Sequence, residues 1–294
     1  MGINRRDFLK GVGGLCAVAG MSASSGLLAT RAAEASSGSH AETPADGKST
    51  VRWGMVIDTR KMDEADISKC AEACHSAHNV PDYSNVPQLG HSEVPEGGNV
   101  KDEIKWIWPA AYHESFPSRS TNQFDSVDIE ERRYALLCNH CANPPCVRVC
   151  PTKATFKSSQ GITMMDMHRC IGCRFCMAAC PYGSRSFNWR EPRMDKRTLW
   201  GGRPIKMDYP TRERGVVEKC LFCYELLEKA GVPESGQDIL PEQVPYCVKA
   251  APEGAIIFGN LNDPNSMIRK VLRDSNTVVR KPETGTNPSV FYIL

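Results

Sequence analysis

The sequence predicts an α+β fold in which two cysteine-rich modules are nested and interrupted by long loop insertions. Three observations lead to this prediction: 14 cysteines among 294 residues, a cysteine spacing that recurs along the chain, and short strand-like segments beside the cysteines. Basic and acidic side chains number 36 and 34, which gives a net charge of +2. This balance argues against a nucleic-acid partner, because nucleic-acid binding needs a dense basic face.

Residues 1–35 are predicted to form a twin-arginine export signal. The Arg5-Arg6 pair is followed by Phe8-Leu9-Lys10 and by a weakly apolar stretch rich in glycine and serine. The small residues of Ala33-Glu34-Ala35 then offer a signal-peptide cleavage site. The alternative is a basic N-terminus before a short helix. The stretch is too polar for a membrane span, and residues 36–50 are a polar linker. We therefore expect the chain to be exported in a folded state to the periplasm.

Two complete runs of four cysteines occupy the middle of the chain, and a proline follows each run. The spacing of the second run is typical of bacterial ferredoxins, in which three cysteines of a run bind one [4Fe–4S] cluster and the fourth binds its neighbour. The runs therefore predict cluster 1 at Cys138, Cys141, Cys146 and Cys180, and cluster 2 at Cys170, Cys173, Cys176 and Cys150. Each run thus supplies the fourth ligand that the other run's cluster needs, and this arrangement indicates a bacterial-ferredoxin-like module.

The cysteines admit three other interpretations. Disulfides are common in exported proteins, but paired runs that end in Cys-Pro are not a disulfide pattern. Zinc sites close with four ligands from two Cys-x2-Cys pairs and have no need of runs of four. A c-type haem requires Cys-x2-Cys-His, and Cys70-x3-Cys74-His75 is a loose variant of that sequence. Clusters remain the prediction, with a zinc-stapled structural protein as the alternative.

The remaining cysteines predict a third cluster and the loss of a fourth. Cys220, Cys223 and Cys247 occupy three positions of a downstream run, and Cys70 and Cys74 match only the end of an upstream run. If the last cysteine of each run again binds the neighbouring cluster, these cysteines give a complete cluster 3 at Cys74, Cys220, Cys223 and Cys247. The other site would need residues 64, 67, 70 and 251, and three of these are not cysteine. We therefore expect three [4Fe–4S] clusters, with Cys70 left as a buried thiol.

Strand-like segments give the module boundaries. Residues 153–157 and 162–166 predict a hairpin, and the alternating segment 50–58 predicts a strand. The expected organisation is an outer module of residues 51–78 plus 212–265, an inner module of 132–190, insertions at 79–131 and 191–211, and a C-terminal tail of 266–294.

Histidine and aromatic side chains also lie near the cysteines. His75, His78 and His140 are predicted to pack or to donate hydrogen bonds that tune the cluster potentials, since histidine ligation belongs to another cluster type. The aromatic residues around Trp106 in the first insertion form either a partner-binding patch or a small satellite core.

The leader and four cysteine runs in this order resemble iron–sulfur electron-transfer subunits of the molybdopterin-oxidoreductase and quinone-complex families. The similarity covers residues 132–265 and includes Leu137–Cys141, Arg169–Arg174 and Glu218–Cys223. It implies a periplasmic subunit without a substrate site of its own, which an integral quinone-interacting subunit attaches to the inner membrane. No segment after the leader is long and apolar enough to span a bilayer.

The residues that stand in place of cysteine at positions 64, 67 and 251, together with Lys105–Trp108, resemble the sequence of one branch of this family. That branch is the ferredoxin-like subunit of the complex associated with dissimilatory sulfite reductase, and the resemblance implies a periplasmic multihaem cytochrome c as a second partner. The alternative is the iron–sulfur subunit of a periplasmic molybdopterin reductase of the polysulfide, nitrite or dimethyl-sulfoxide type. The sequence contains no nucleotide-phosphate loop and no nucleophile–base signature that would indicate an enzyme.

Overall fold

The computed structural model describes residues 51–84, 87, 90–94, 96, 101–119, 127–192, 209 and 212–294. The predicted export signal and linker lie outside these residues, as do parts of both insertions. The described helices all lack the length and apolar character that crossing a membrane requires.

Helices and strands are short and mixed along the described chain, as expected for the α+β class. The elements are β1 (Trp53–Asp58), α1 (Glu64–Ala77), β2 (Ile107–Ala110), α2 (Tyr112–Ser115), α3 (Val127–Glu131), β3 (Tyr134–Leu137), α4 (Pro145–Arg148), β4 (Thr155–Lys157), β5 (Thr163–Met165), α5 (Phe175–Ala179), β6 (Ser186–Phe187), β7 (Val217–Glu218), α6 (Tyr224–Ala230), α7 (Tyr246–Ala250), β8 (Ile256–Asn260), α8 (Met267–Asp274) and β9 (Val290–Ile293).

A three-stranded sheet contains β1 at its centre, with β8 antiparallel on one side and β9 parallel on the other. All six residues of β1 are buried. Alternate side chains of a strand point to opposite faces, so Met55 and Ile57 join the main core while Val56 packs with Ile268 of α8. Residues 266–294, expected as a tail, thus contribute a strand to this sheet and a helix to one of its faces.

Three strand pairs of the described chain lie outside that sheet. β4 and β5 form the hairpin that the sequence predicts, and β2 of the first insertion pairs with β3. β6 pairs with β7, so that Ser186 lies opposite Glu218. This last pair joins the predicted inner module to the second half of the predicted outer module.

A buried ion pair strengthens the same junction. The Arg212 guanidinium lies 2.9 Å from the Glu218 carboxylate, and both side chains are almost fully buried. Arg212 also donates to the carbonyl of His78 at 2.6 Å, while Trp106 Nε1 donates to Glu218 at 2.9 Å and Asn188 donates to the same carboxylate. Trp106 is fully buried and belongs to the main core, which does not fit a partner-binding patch at this residue.

Candidate metal-cluster sites

Cys138, Cys141, Cys146 and Cys180 line one cavity, named site 1. Cys138 follows β3, Cys146 lies in α4, and Cys180 caps the end of α5. Burial, together with repulsion from the other three cysteines, raises the pKa of Cys141 to about 12. Three sulfur atoms of one loop and the sulfur of the distant Cys180 therefore meet here in surroundings that disfavour bare thiolates.

A second cavity, named site 2, is lined by Cys150, Cys170, Cys173 and Cys176. The sulfur of Cys170 accepts a hydrogen bond from the backbone N–H of Val217 at 3.4 Å. Burial acts to raise the pKa of Cys150, but hydrogen bonds from the backbone and side chain of residues 152–155 outweigh it and lower this pKa. Such donors stabilise a sulfur that carries negative charge.

The cysteines of the two runs are exchanged between the two cavities. Cys180 of the second run lies in site 1, and Cys150 of the first run lies in site 2. The exchange follows from the contact between α4 and α5, the short helices near the ends of the two runs. The structure thus brings together the eight inner cysteines in the two sets that the spacing predicts.

Left-handed backbone occurs within the cysteine loops. His140, Arg174, Phe222 and Cys223 all have φ between 40° and 62°. Gly172 also has a positive φ, and a Cβ atom there would collide with a backbone carbonyl of the segment before β7. Non-glycine residues adopt this conformation only at an energetic cost. Three of the cysteine loops, at 138–141, 173–176 and 220–223, therefore contain left-handed backbone.

Cys74, Cys220, Cys223 and Cys247 form a third set, named site 3, and all four are buried. Burial raises the pKa of Cys220 to about 12. The pKa of Cys74 is also raised, first by burial and then by repulsion from Cys220 and Cys247. Cys223 is affected in the same way by Cys74 and Cys247. Contact between α1, which carries Cys74, and α7, which carries Cys247, brings the set together.

The residues of the missing fourth set do not surround a comparable group of sulfurs. Glu64 is exposed in the first turn of α1, Ile67 is 1% exposed in the core, and Ala251 caps α7. Cys70 is fully buried, and its thiol donates to the carbonyl of Cys247 at 3.3 Å. Burial raises the pKa of Cys70 to about 11, so it is a neutral buried thiol as expected.

Two of the three histidines noted in the sequence are fully buried between cysteine sites and other elements. His78 Nδ1 donates to the carbonyl of Cys74 at 2.7 Å, and its Nε2 lies 3.0 Å from Glu225. His140 accepts a hydrogen bond on Nδ1 from the backbone of Thr163 at 3.3 Å. Burial and nearby positive charge hold the pKa of His140 well below its usual range, so this ring is neutral.

The ring of His140 also connects site 1 to site 3. It stacks on Phe222 with 3.7 Å between ring centroids. His140 lies between two cysteines of site 1, and Phe222 lies between two cysteines of site 3. Sequence reasoning missed this contact, because the two residues are far apart in the chain and only folding makes them neighbours.

The donor sets fit iron–sulfur clusters. Each site offers four cysteine sulfurs and therefore the ligand type and number that a [4Fe–4S] cluster uses. At sites 1 and 3 the raised thiol pKa values mean that bare thiolates are costly, whereas iron would compensate their charge and loading would release protons. His78, Cys223 and Glu225 also place ligand atoms within 4.8 Å of one another, but Cys223 already belongs to site 3.

Comparisons with known proteins agree with this chemistry. A family model described as a 4Fe-4S dicluster domain matches residues 132–199. The chain is 36% identical over 265 residues to the Hdr-like menaquinol oxidoreductase iron-sulfur subunit 1 of Archaeoglobus fulgidus, and the match covers 85% of this chain and 86% of the relative. It is 33% identical to the iron-sulfur cluster-binding subunit of the menaquinone reductase of Nitratidesulfovibrio vulgaris, over 83% and 89% of the two chains. A subunit of the tetrathionate reductase of Salmonella typhimurium is 38% identical over 84% and 74%.

The fold and the sites define an iron–sulfur electron-transfer protein with a ferredoxin-like dicluster domain. The chain belongs to the family of iron–sulfur electron-transfer subunits of quinone-linked oxidoreductase complexes. It transfers electrons within such a complex and is not the catalytic subunit. A zinc-stapled structural protein, the alternative from another class, does not fit this family.

Proposed function

We propose that the chain carries three [4Fe–4S] clusters, with the ligand sets of sites 1, 2 and 3. It relays single electrons between a periplasmic multihaem cytochrome c and a quinone-interacting integral membrane subunit. The complex is the one associated with dissimilatory sulfite reductase, in which the corresponding subunit is called DsrO. The observation that carries the proposal is the meeting of twelve cysteines in three sets of four, with a fourth set absent from the described residues.

The arrangement of the sites supports a relay with site 1 in the middle. Arg185 lines site 1 and donates to Thr155, which lines site 2. His140, between two cysteines of site 1, stacks on Phe222, between two cysteines of site 3. When bound, the clusters carry one electron at a time. Electrons would therefore pass between sites 2 and 3 through site 1.

Site 2 has the surroundings expected of an electron entry or exit point. Cys173 is exposed, and its neighbours Ile171 and Phe175 are 67% and 59% exposed. Apolar side chains around an exposed cofactor are suited to contact with another protein. The proposed partner at either end of the relay is a redox subunit of the same complex.

Two features support the location and the quinone. The twin-arginine pattern in residues 1–35 is the basis for placing the mature protein in the periplasm, attached to the inner membrane through its partners. Two relatives are named for menaquinol oxidation or menaquinone reduction. We therefore propose menaquinone as the quinone of the membrane partner.

The second candidate is the iron–sulfur subunit of a molybdopterin reductase. The similarity to a subunit of tetrathionate reductase favours it. The two candidates share the clusters and differ in the protein at the other end of the relay, which is a cytochrome in one case and a molybdopterin subunit in the other.

The test is purification of the native complex under anaerobic conditions through a tag on this chain. The expected result is about twelve iron atoms per chain and three signals in low-temperature magnetic resonance of the reduced protein. A membrane subunit and a haem-containing subunit should co-purify, and menaquinol should reduce the clusters. A molybdopterin subunit in place of the cytochrome would support the second candidate, and about eight or sixteen irons would overturn the ligand assignment.

A further inference from the structure

Arg185 lies at the boundary between sites 1 and 2. The side chain is 5% exposed and lines the cavity of site 1. Its Nη1 atom donates to Thr155 Oγ1 at 3.2 Å and to Met165 Sδ at 3.7 Å. Thr155 and Met165 line the cavity of site 2. One guanidinium group therefore contacts the walls of both cavities.

At the other end of this guanidinium, Arg185 Nη2 is buried and has no oxygen acceptor among the described residues. No carboxylate among the described residues lies within ion-pairing distance of Arg185, although arginine remains charged even when buried. An unpaired buried charge is costly. A negatively charged group in the cavities would satisfy it.

Cysteines of both sites lie close to this guanidinium. Burial acts to lower the pKa of Arg185, but attraction by Cys146, Cys176 and Cys138 outweighs it and raises this pKa. Two of these cysteines belong to site 1 and one belongs to site 2. The charge of Arg185 is thus directed at both sites at once.

We infer that Arg185 is a positioning residue shared by the clusters at sites 1 and 2. Its Nη2 donates a hydrogen bond to cluster sulfur, and its positive charge raises the reduction potentials of both clusters. The inference rests on the clusters proposed above. Reduction adds one negative charge to a cluster, and a nearby fixed positive charge and sulfur hydrogen bonds stabilise that state.

The other junction contains a different buried cation, which provides an internal comparison. Lys219 is 1% exposed, and its Nζ donates to the carbonyl of Cys220 at 2.8 Å and to the carbonyl of Thr163. Cys220 belongs to site 3, and Thr163 lines the cavity of site 1. Lys219 therefore contacts residues of both site 1 and site 3, just as Arg185 contacts the walls of both site 1 and site 2.

The experiment is a redox titration of each cluster, followed by magnetic resonance, in the full-length cluster-loaded protein. Arg185→Met removes the charge and the donors, Arg185→Gln removes the charge and keeps an amide donor, and Arg185→Lys keeps the charge. Arg185→Met should lower the reduction equilibrium constant of two clusters at least tenfold, which is about 59 mV for one electron. Arg185→Lys should return both potentials toward the wild-type values, and the third cluster should be unaffected.

Two further variants make the assignment specific. Lys219→Met should also lower the reduction potentials of two clusters. One of these two should be a cluster that Arg185→Met affects as well. Arg280→Met is the matched control, because Arg280 is a buried arginine that donates to the carbonyl of Ser115 and lines neither cavity. It should leave all three potentials unchanged.

The possible outcomes separate the inference from the proposed function. If the wild-type protein lacks three clusters, the proposed function fails before any variant is compared. If it has three and neither Arg185→Met nor Arg185→Gln lowers a potential, the role of Arg185 is wrong. Should Arg185→Met fail to load clusters, Arg185→Gln provides the measurement. A uniform shift of all three clusters would also overturn the inference, because it would show a general loss of structure.

Discussion

The inner and outer pairs of cysteine sites differ in the backbone that carries their cysteines. In the inner pair, cysteines stand on tight loops with left-handed residues such as His140 and Arg174, and both sets of four sulfurs are complete. In the outer pair, the upstream cysteines lie on α1, a regular helix of 14 residues. Only the set that uses Cys74, in the last turns of this helix, is complete.

The helix explains why one outer site is absent. A capping box between Asp63 and Asp66 starts α1 at the position where a cluster loop would begin, and Ile67 turns into the core. A loop can direct three nearby sulfurs at one cube, whereas residues at 64, 67 and 70 of a regular helix are held along its surface. The absent site therefore lacks three of its four thiols as well as the loop conformation.

The largest expected effect follows from removing the one upstream ligand. Cys74→Ser should lower the iron content from about twelve to about eight atoms, because a [4Fe–4S] cluster would lose a thiolate. Iron analysis and magnetic resonance of the reduced protein measure this. Cys70→Ser is the matched control on the same helix and should keep about twelve irons. If Cys70→Ser lost iron and Cys74→Ser did not, the ligand assignment at site 3 would be reversed.

The second-largest effect is expected at the junction between the predicted inner and outer modules, where Arg212 pairs with Glu218. Glu218→Gln should reduce the free energy of unfolding by about 3 to 5 kcal/mol, because Arg212 would be left as a buried charge without its partner. Denaturant titration measures the loss, and site 3 should release its iron before sites 1 and 2. Asp274→Asn, in the exposed pair with Arg273, is the control and should cause little change.

A third variant tests whether thiols alone would restore the missing site. Combined Glu64→Cys, Ile67→Cys and Ala251→Cys should leave the iron content unchanged, because α1 still holds these positions on a helix. The cost should be about 2 kcal/mol of stability from the smaller side chain at the buried position 67. Ile67→Cys alone is the control for that cost. An increase by about four irons would show that the helix is no obstacle.

The smallest effect is a pH dependence at the turn that leads into α1. Arg60 donates two hydrogen bonds of 2.8 Å to the Asp58 carboxylate and lowers its pKa. Because the folded pKa is below the unfolded value of about 3.9, the pair contributes stability above that pH and loses it as the pH falls through the folded pKa. Asp58→Asn should therefore cost about 0.5 kcal/mol at pH 7 and progressively less below pH 4. A difference that stayed constant to pH 2 would contradict this origin.

The cysteine sets could be predicted because a recurring spacing marks their members, and the β4–β5 hairpin could be predicted because it depends on adjacent residues. The eight inner cysteines meet in the two predicted groups, and Cys74 meets the downstream three. The role of residues 266–294 could not be predicted in this way, since β9 joins β1 across more than two hundred residues. Trp106 was likewise ambiguous, because an aromatic residue can lie in a core or on a partner surface until its neighbours are known.

The sequence by itself determined which atoms can hold the clusters, since ligand type and spacing are written in the order of the residues. The tertiary structure decided which charges and rings lie between the sites: Arg185, Lys219, and the stack of His140 on Phe222. Their positions depend on packing between segments that are distant in the chain. Long-range contacts of this kind follow from the way the whole core is filled, and no local pattern records them.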